Sequence, residues 1–460
     1  MKRPALRNGG VSHWWHQLGG PGPRRPSLPG DRDVDVCIVG AGYTGLWTAF
    51  YLKQLRPSLT VVVLEREFAG YGASGRNGGW LTAALPGSAA VLGRGPGGPS
   101  AVTCLAAHLR QQVDEVIAVC RAHGVDADIV KGGELRVATG PAQLQRLRSD
   151  WSGRAPDDAD QWLDADELAA RVRIAGGSGA IWSPHCARLH PAKLVRGLAA
   201  LVQRQGVSVF ETTPATSIAP GSVVTPYGTV RAGTVLRCTE GFTAEVPGQR
   251  RAWVPMNSSM IVTAPLPDRA WREIGWDGAE VIGDEAHVYM YAQRTADGRI
   301  AIGGRGVPYR FGSRIRGDGA TAARTVDELT ATLHRLWPTT RDVAVEHAWS
   351  GVLGVPRDWS ATVSFDPRTR TGFAGGYVGH GVVSSALAGR TLADLATGRD
   401  TERTALPWVD RRVRQWEPEP LRWLGIRGLY AAYRLADRIE ARNGRTSVVA
   451  RAADVISRKP

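Results

Sequence analysis

Six residues near the N-terminus restrict this chain more than any other stretch: Gly40-Ala41-Gly42-Tyr43-Thr44-Gly45. They follow an apolar run, residues 34–39, that reads as a buried strand. They open a second run, with Leu46, Ala49, Phe50 and Leu52, that reads as a helix. Another apolar strand, 60–64, ends at Glu65, twenty residues after Gly45. Each position has a physical task. Gly40 allows the tight turn, Gly42 lets the backbone approach a pyrophosphate, and Gly45 lets the helix lie close against the strand. The helix N-terminus offers free N–H groups and its positive dipole end to phosphates. Glu65 accepts hydrogen bonds from ribose hydroxyls and disfavours the 2′-phosphate of NADP. The spacing of all five parts predicts a dinucleotide on a Rossmann-type βαβ unit.

This motif alone does not separate NAD from FAD. A second glycine-rich stretch bears on the choice: Gly70-Tyr71-Gly72-Ala73-Ser74-Gly75-Arg76-Asn77-Gly78-Gly79-Trp80. Its backbone is bare enough to approach a ring. Ser74 and Asn77 suit a phosphate or a flavin edge, and Arg76 suits the pyrophosphate charge. A third, Gly375-Gly376-Tyr377-Val378-Gly379-His380-Gly381, opens a helix from about Val383. Its dipole would place partial positive charge near the N1–C2=O edge of a flavin, favouring the reduced anion.

At these residues the chain resembles the D-amino-acid oxidase superfamily of flavoenzymes, the glycine oxidase/sarcosine oxidase group, and within it the γ-glutamylputrescine oxidase-like branch. Arg188-Leu189-His190-Pro191, Cys238-Thr239-Glu240-Gly241 and Ala388-Gly389-Arg390 continue the likeness, which spans roughly residues 30 to 425. The resemblance implies FAD held by Gly40, Gly42, Tyr43, Thr44, Gly45, Glu65, Arg66, Ser74, Arg76, Asn77, Gly78, Gly79, Trp80, Ala215, Thr239, Gly241, Gly376, Tyr377, Gly379, His380, Gly381 and Val382. It implies oxidation of a C–N bond by hydride transfer to flavin N5, imine hydrolysis, and reoxidation by O₂ giving H₂O₂. A dehydrogenase of the same fold with another electron acceptor, and a non-catalytic FAD-binding subunit, stand as alternatives.

Three departures from the group narrow the reading. Sarcosine-type members bind a substrate carboxylate with a lysine shortly after the third glycine stretch, where this chain has Val383. That points to a small amine without an anchoring carboxylate. No lysine lies between Lys193 and Lys459, so the group's lysine-assisted reaction with O₂ has no counterpart. No cysteine follows Cys238, so the FAD is expected to be non-covalent.

The substrate side is expected on a hairpin. Alternation through 287–291, a turn at Ala296-Asp297-Gly298 and a return through 299–302 give two strands. Tyr289 and Tyr291 share one face of the first strand and are candidate pocket walls, with Arg305 beyond and His380 at the cofactor edge. The plainer reading makes both tyrosines ordinary sheet aromatics, Arg305 a surface ion-pair partner and His380 a packed histidine.

The fold class expected is α/β plus α+β: a discontinuous Rossmann-type FAD-binding domain interleaved with a β-sheet substrate domain. Residues 1–33 form an N-terminal arm without a core of its own. The FAD-binding domain takes 34–90, 185–245 and 350–400, the substrate domain takes 91–184 and 246–349, and 401–460 is a helical tail.

Charge and cysteine usage speak mainly about partners. The net charge is +14, yet the chain has only five lysines and its arginines are dispersed, so a solvated basic surface is expected rather than a nucleic-acid groove. Five scattered cysteines without a CxxC pair predict free thiols and no metal site. No apolar run is long enough to span a bilayer and no signal-peptide pattern opens the chain, so a cytoplasmic location without membrane or nucleic-acid partners is expected. Oligomeric state is left open.

Overall fold

The computed structural model describes residues 6–153, 159–304, 306 and 308–457. Two sheets carry the architecture. In the first, the strands run in the order Ser217–Ala219, Ser222–Thr225, Gly228–Arg237, Arg32–Val39, Val61–Leu64, Ser208–Phe210, with Thr371–Gly375 also pairing with Gly228–Arg237 and Thr362–Asp366 beyond it. Arg32–Val39 pairs in parallel with both neighbours, Val36 opposite Val61 and Val235 opposite Cys37. The strand's last four residues are buried, as a parallel strand covered on both faces requires.

Helix Tyr43–Leu55 follows this strand and crosses helix Gly381–Ala396, which follows Thr371–Gly375. Gly389 permits the crossing: a Cβ there would stand 2.8 Å from the Thr48 backbone nitrogen and 2.9 Å from Trp47 Cβ. The two glycine loops therefore start neighbouring helices. Leu46, Trp47, Leu387 and Leu392 are fully enclosed between them and the sheet.

The second sheet has nine strands in the order Arg7–Asn8, Val345–Val355, Val254–Thr263, Ile300–Gly304, Tyr291–Arg294, Val281–Asp284, Glu134–Ala138, Gly179–Ser183, Gln161–Leu163. All its pairings are antiparallel except Arg7–Asn8 with Val345–Val355 and Val281–Asp284 with Glu134–Ala138. Helix Ala323–Leu336 covers one face through Val326, Leu329 and Leu333. The strands of the two sheets alternate along the chain, so the α/β part is interleaved with the α+β part.

Several details differ from the sequence reading. The hairpin strand starts at Tyr291, because the N–H groups of His287 and Val288 donate to the Asp437 carboxylate (2.8 and 3.0 Å) rather than to a neighbouring strand. Helix Gly98–Ala122 buries Leu105, Leu109, Val113 and Val116 in the core of the first sheet, although it lies in a segment assigned to the substrate side. Strand Val345–Val355 belongs wholly to the second sheet and crosses the expected boundary at 350. The 86–100 stretch, whose glycines and prolines predict a loop, carries a short helix, Ala89–Leu92, and the start of Gly98–Ala122.

The N-terminal arm joins the edge of the second sheet and the core of the first. Arg7–Asn8 adds an edge strand, and helix His13–Gln17 drives Trp14 and Trp15 into the first core at 1% and 2% exposure. All five cysteines are free thiols. Among the described residues no helix is long and apolar enough to cross a membrane.

Candidate active site

The ends of three parallel strands meet above the first sheet, where a cleft opens of about 1300 Å³ counting its solvent mouth. This is the crevice at the carboxyl ends of the strands where α/β sheets bind ligands. One wall is the first glycine loop. Gly40 takes φ +107°, and a Cβ on it would lie 2.4 Å from the Cys238 carbonyl oxygen. At Gly45 a Cβ would lie 2.0 Å from the Gly40 carbonyl. These two glycines are required by the protein's own packing. Gly42 differs: a Cβ there meets only Ser74 Oγ, at 3.1 Å, so a side chain would enter the cleft.

Ser74 Oγ accepts the Tyr43 N–H at 2.8 Å and so marks where the helix N-terminus presents its donors. Glu65 lines the far end with Thr213, Ala215 and Ile218. Its carboxylate accepts from the Ala41 and Glu67 N–H groups, both at 2.9 Å. Burial holds its carboxyl above the usual range, those donors opposing. Arg66 reaches along the rim, paired with Glu245 at 2.5 Å and 4.9 Å above the Phe242 ring.

The opposite wall comes from the third glycine loop: Tyr377, Gly379, Gly381 and Val382 line the cleft with Thr239 and Gly241. The Tyr377 and Thr44 hydroxyls are 3.0 Å apart, which joins the two loops. Two non-glycine residues here hold left-handed backbone, Glu240 at φ +39° and Val378 at φ +49°. Such strain persists only where the surroundings over-determine it.

Glu240 is a site residue that the sequence reading did not select. Its Oε1 accepts the Gly354 N–H (3.1 Å) and its Oε2 the Gly376 N–H (2.8 Å), clasping the second sheet to the third glycine loop. Desolvation pushes its carboxyl up to about 7, against the pull of those N–H groups. An acidic residue three positions after a parallel strand, inside a motif otherwise of small residues, was the available signal. Tyr71, Phe242 and Ser385 also line the cleft unanticipated.

Other expected residues stand outside the lining. Arg76 is a correction: its guanidinium, buried at 5% exposure, donates to the carbonyls of Tyr71 (2.8 Å), Gly317 (2.9 Å) and Ser350 (3.2 Å). The tight turn at Ala73–Gly75 aims it into the protein, so it braces the loop and leaves the phosphate end to Gly42, Tyr43 and Ser74. Gly376 is held by Glu240 behind the wall, and a Cβ there would meet Pro356 Cγ at 2.5 Å. His380 caps helix Gly381–Ala396 in sequence without a side-chain bond to it and does not line the cleft. Arg305 lies outside the described residues.

Gly78, Gly79 and Trp80 carry the second glycine loop away from the cleft to the hairpin. Asn77 lines the cleft, and its side chain folds the loop by donating to Ala73 and Ser74 carbonyls and accepting the Gly79 N–H. At the next residue, Gly78, a Cβ would stand 2.8 Å from the Tyr291 ring. Tyr291 is half-buried, with its hydroxyl 2.9 Å from Ser258 Oγ. Trp80 meets it edge-on at 6.2 Å between centroids, and Tyr289 lies 6.5 Å away. Gly303, opposite Tyr291 in register, leaves room for the ring. The structure thus brings Tyr289, Tyr291 and Trp80 together at one end of the cofactor loop.

A βαβ unit with a bare phosphate turn, an acidic strand end, and a second and third glycine loop define a dinucleotide-dependent oxidoreductase. Residues 35–395 match the family described as DAO, FAD dependent oxidoreductase, and the chain belongs to it; its cofactor is FAD. A probable oxidoreductase OrdL of Rhizobium meliloti is 29% identical over 400 residues, covering 83% of this chain and 87% of the relative. The gamma-glutamylputrescine oxidoreductase of Escherichia coli is 29% identical over 383 residues, covering 80% and 84%. The crystal structure of glycine oxidase from Geobacillus kaustophilus shares the fold with a TM-score of 0.68 at 22% identity, over 83% of this chain and 99% of that one.

Proposed function

We propose that the chain oxidises the C–N bond of a small amine, with O₂ as the electron acceptor and H₂O₂ as the second product. The observation that supports this reading is the continuity of one loop: Asn77 faces the cofactor cleft and Gly78 supports the Tyr291 ring. The similarity to a gamma-glutamylputrescine oxidoreductase agrees with it. Bound FAD supplies the two-electron oxidant that takes a hydride from the carbon beside nitrogen. The neutral amine loses that hydride and one proton, and water converts the resulting imine to a carbonyl and a free amine.

The chain's own residues then have few tasks. Gly42, Tyr43 and Ser74 seat the pyrophosphate, Gly40 and Gly45 shape the turn that carries them, and Glu65 faces the ribose. Tyr289, Tyr291 and Trp80 form an aromatic wall that holds the amine and keeps water from the reacting carbon. Positioning rather than strong acid–base help is what such a transfer requires. FAD is bound non-covalently; every cysteine lies at or before residue 238, and four of the five are buried. A dehydrogenase passing electrons to another acceptor is the second reading, favoured by the lack of any lysine between Lys193 and Lys459.

Anaerobic stopped-flow reduction of Tyr289→Ala and Tyr291→Ala, beside Glu65→Ala, tests the proposal. The wall variants should keep FAD and reduce roughly 10- to 100-fold more slowly. Glu65→Ala should lose FAD affinity and reduce normally in the fraction that keeps it. Parent-like reduction in both wall variants would refute the assignment. Peroxide release on aeration separates the oxidase from the dehydrogenase.

A further inference from the structure

A second cavity, of about 770 Å³ counting its solvent mouth, lies between the N-terminal arm, the start of helix Pro191–Arg204 and the hairpin turn. It shares no lining residue with the cofactor cleft. We propose that this cavity binds a small carboxylate, on Arg188 and His190.

His190 is 6% exposed, and its Nδ1 accepts the Lys193 N–H at 3.1 Å. The ring proton of the neutral imidazole therefore sits on Nε2. Burial keeps the ring neutral by lowering its pKa to about 4. Nε2 is buried and has no hydrogen-bond partner among the described residues. The same holds for Nε of Arg188, two residues before it, whose charge is permanent. Buried donors without acceptors are costly, and native proteins seldom leave them so.

The cavity's own carboxylates do not meet this demand. Asp128 is paired with Lys193 Nζ at 2.6 Å. Asp297 accepts from Arg299 (2.6 Å), Gln17 (2.8 Å) and Thr295 (2.6 Å). What remains is one cationic and one neutral donor without an acceptor among the described residues, on two side chains that line the cavity at the N-terminus of a fourteen-residue helix. An acceptor-only anion complements that set, and the helix dipole adds to it. Trp14 closes the cavity edge-on to His190, at 5.2 Å. That wall comes from the arm, outside the residues 35–395 that match the family.

The cavity also adjoins the amine wall from behind. The Gln293 amide lines it and donates to the Gly78 carbonyl (2.6 Å) and the Leu189 carbonyl (3.3 Å). Occupancy would act on the loop that supports Tyr291 without occupying the amine's place.

Isothermal titration of the FAD-loaded protein with glutarate, and with glutaramide as its neutral counterpart, tests the inference. One equivalent of glutarate should bind and glutaramide should not. Arg188→Gln and His190→Asn should each weaken glutarate at least about tenfold while FAD content and the visible spectrum stay unchanged. Asparagine still offers an N-cap acceptor, so the second variant keeps the helix start. Absence of saturable glutarate binding, equal binding of glutaramide, or parent affinity in both variants would overturn the inference. Competition between glutarate and an amine that reduces the flavin would overturn it too, since the carboxylate would then occupy the substrate site.

Discussion

Gly42 and Gly40 look alike in the sequence, but the structure gives them different work. A side chain at Gly40 or Gly45 collides with backbone, whereas one at Gly42 would fill the cofactor's place. Gly42→Val should therefore fold with near-parent thermal stability as apoprotein and purify without FAD, read by visible absorbance and melting temperature. Glu240 could not be ranked from its type, because its role depends on two backbone amides 114 and 136 residues away. Glu240→Ala should weaken FAD binding about 10- to 100-fold, since two buried N–H groups lose their acceptor; fluorimetric titration of apoprotein with FAD gives the value. Arg76 shows the opposite failure: a charge inside a cofactor motif was read as a phosphate ligand, and only the fold shows it committed to three carbonyls.

Elements built from local pattern were legible in advance. The βαβ unit, the helices near 101–123, 191–205, 325–337 and 383–397, and the Asp297-Gly298 turn all appear within a few residues of their expected places. The loop before Tyr291 was not legible, because its hydrogen bonds leave the local chain. Helix Leu421–Asn443 supplies them: Asp437 takes the His287 and Val288 amides, Glu440 bonds the His287 ring at 2.9 Å, and Tyr433 stacks on it at 5.8 Å. These three acidic and imidazole groups converge closely enough for a metal, yet they are bonded to one another, to backbone amides and to Arg146. They act as a tether for the segment that carries Tyr289. Asp437→Ala should leave FAD bound and raise the amine KM roughly tenfold, as loss of two charge-assisted hydrogen bonds allows. An unchanged KM in steady-state assays would remove the tether from the account.

At the scale of the molecule, the arm joins the two sheets through an aromatic and imidazole cluster. His13 stacks on Trp349 at 6.1 Å, and His347 Nε2 donates to the Gly9 carbonyl at 2.7 Å. Burial lowers the pKa of His13 to about 3 and of His190 and His347 to about 4. The unfolded chain takes up these protons from pH 6.5 downward while the folded chain does not, so their contribution to stability is full above that pH and is lost as pH falls toward 4. Glu240 and Asp284, raised by burial to about 7 and about 6, act with the opposite sign. Comparison of variants isolates the histidine part: the fall in melting temperature between pH 6.5 and 5 should be shallower in His13→Phe than in the parent. In the sequence the arm is rich in glycine, proline and arginine around Ser12-His13-Trp14-Trp15-His16; there Trp14 packs on Trp349, more than 300 residues away, and Trp15 on Phe68.

The central claim is that an FAD site and an aromatic amine pocket meet at Asn77 and Gly78. Anaerobic titration of the purified yellow protein with a panel of primary and secondary amines, beside a matched panel of 2-hydroxy acids, addresses it most directly. The account predicts that at least one amine bleaches the flavin stoichiometrically and that the hydroxy acids leave its spectrum unchanged. Bleaching by a hydroxy acid with none by any amine would contradict it.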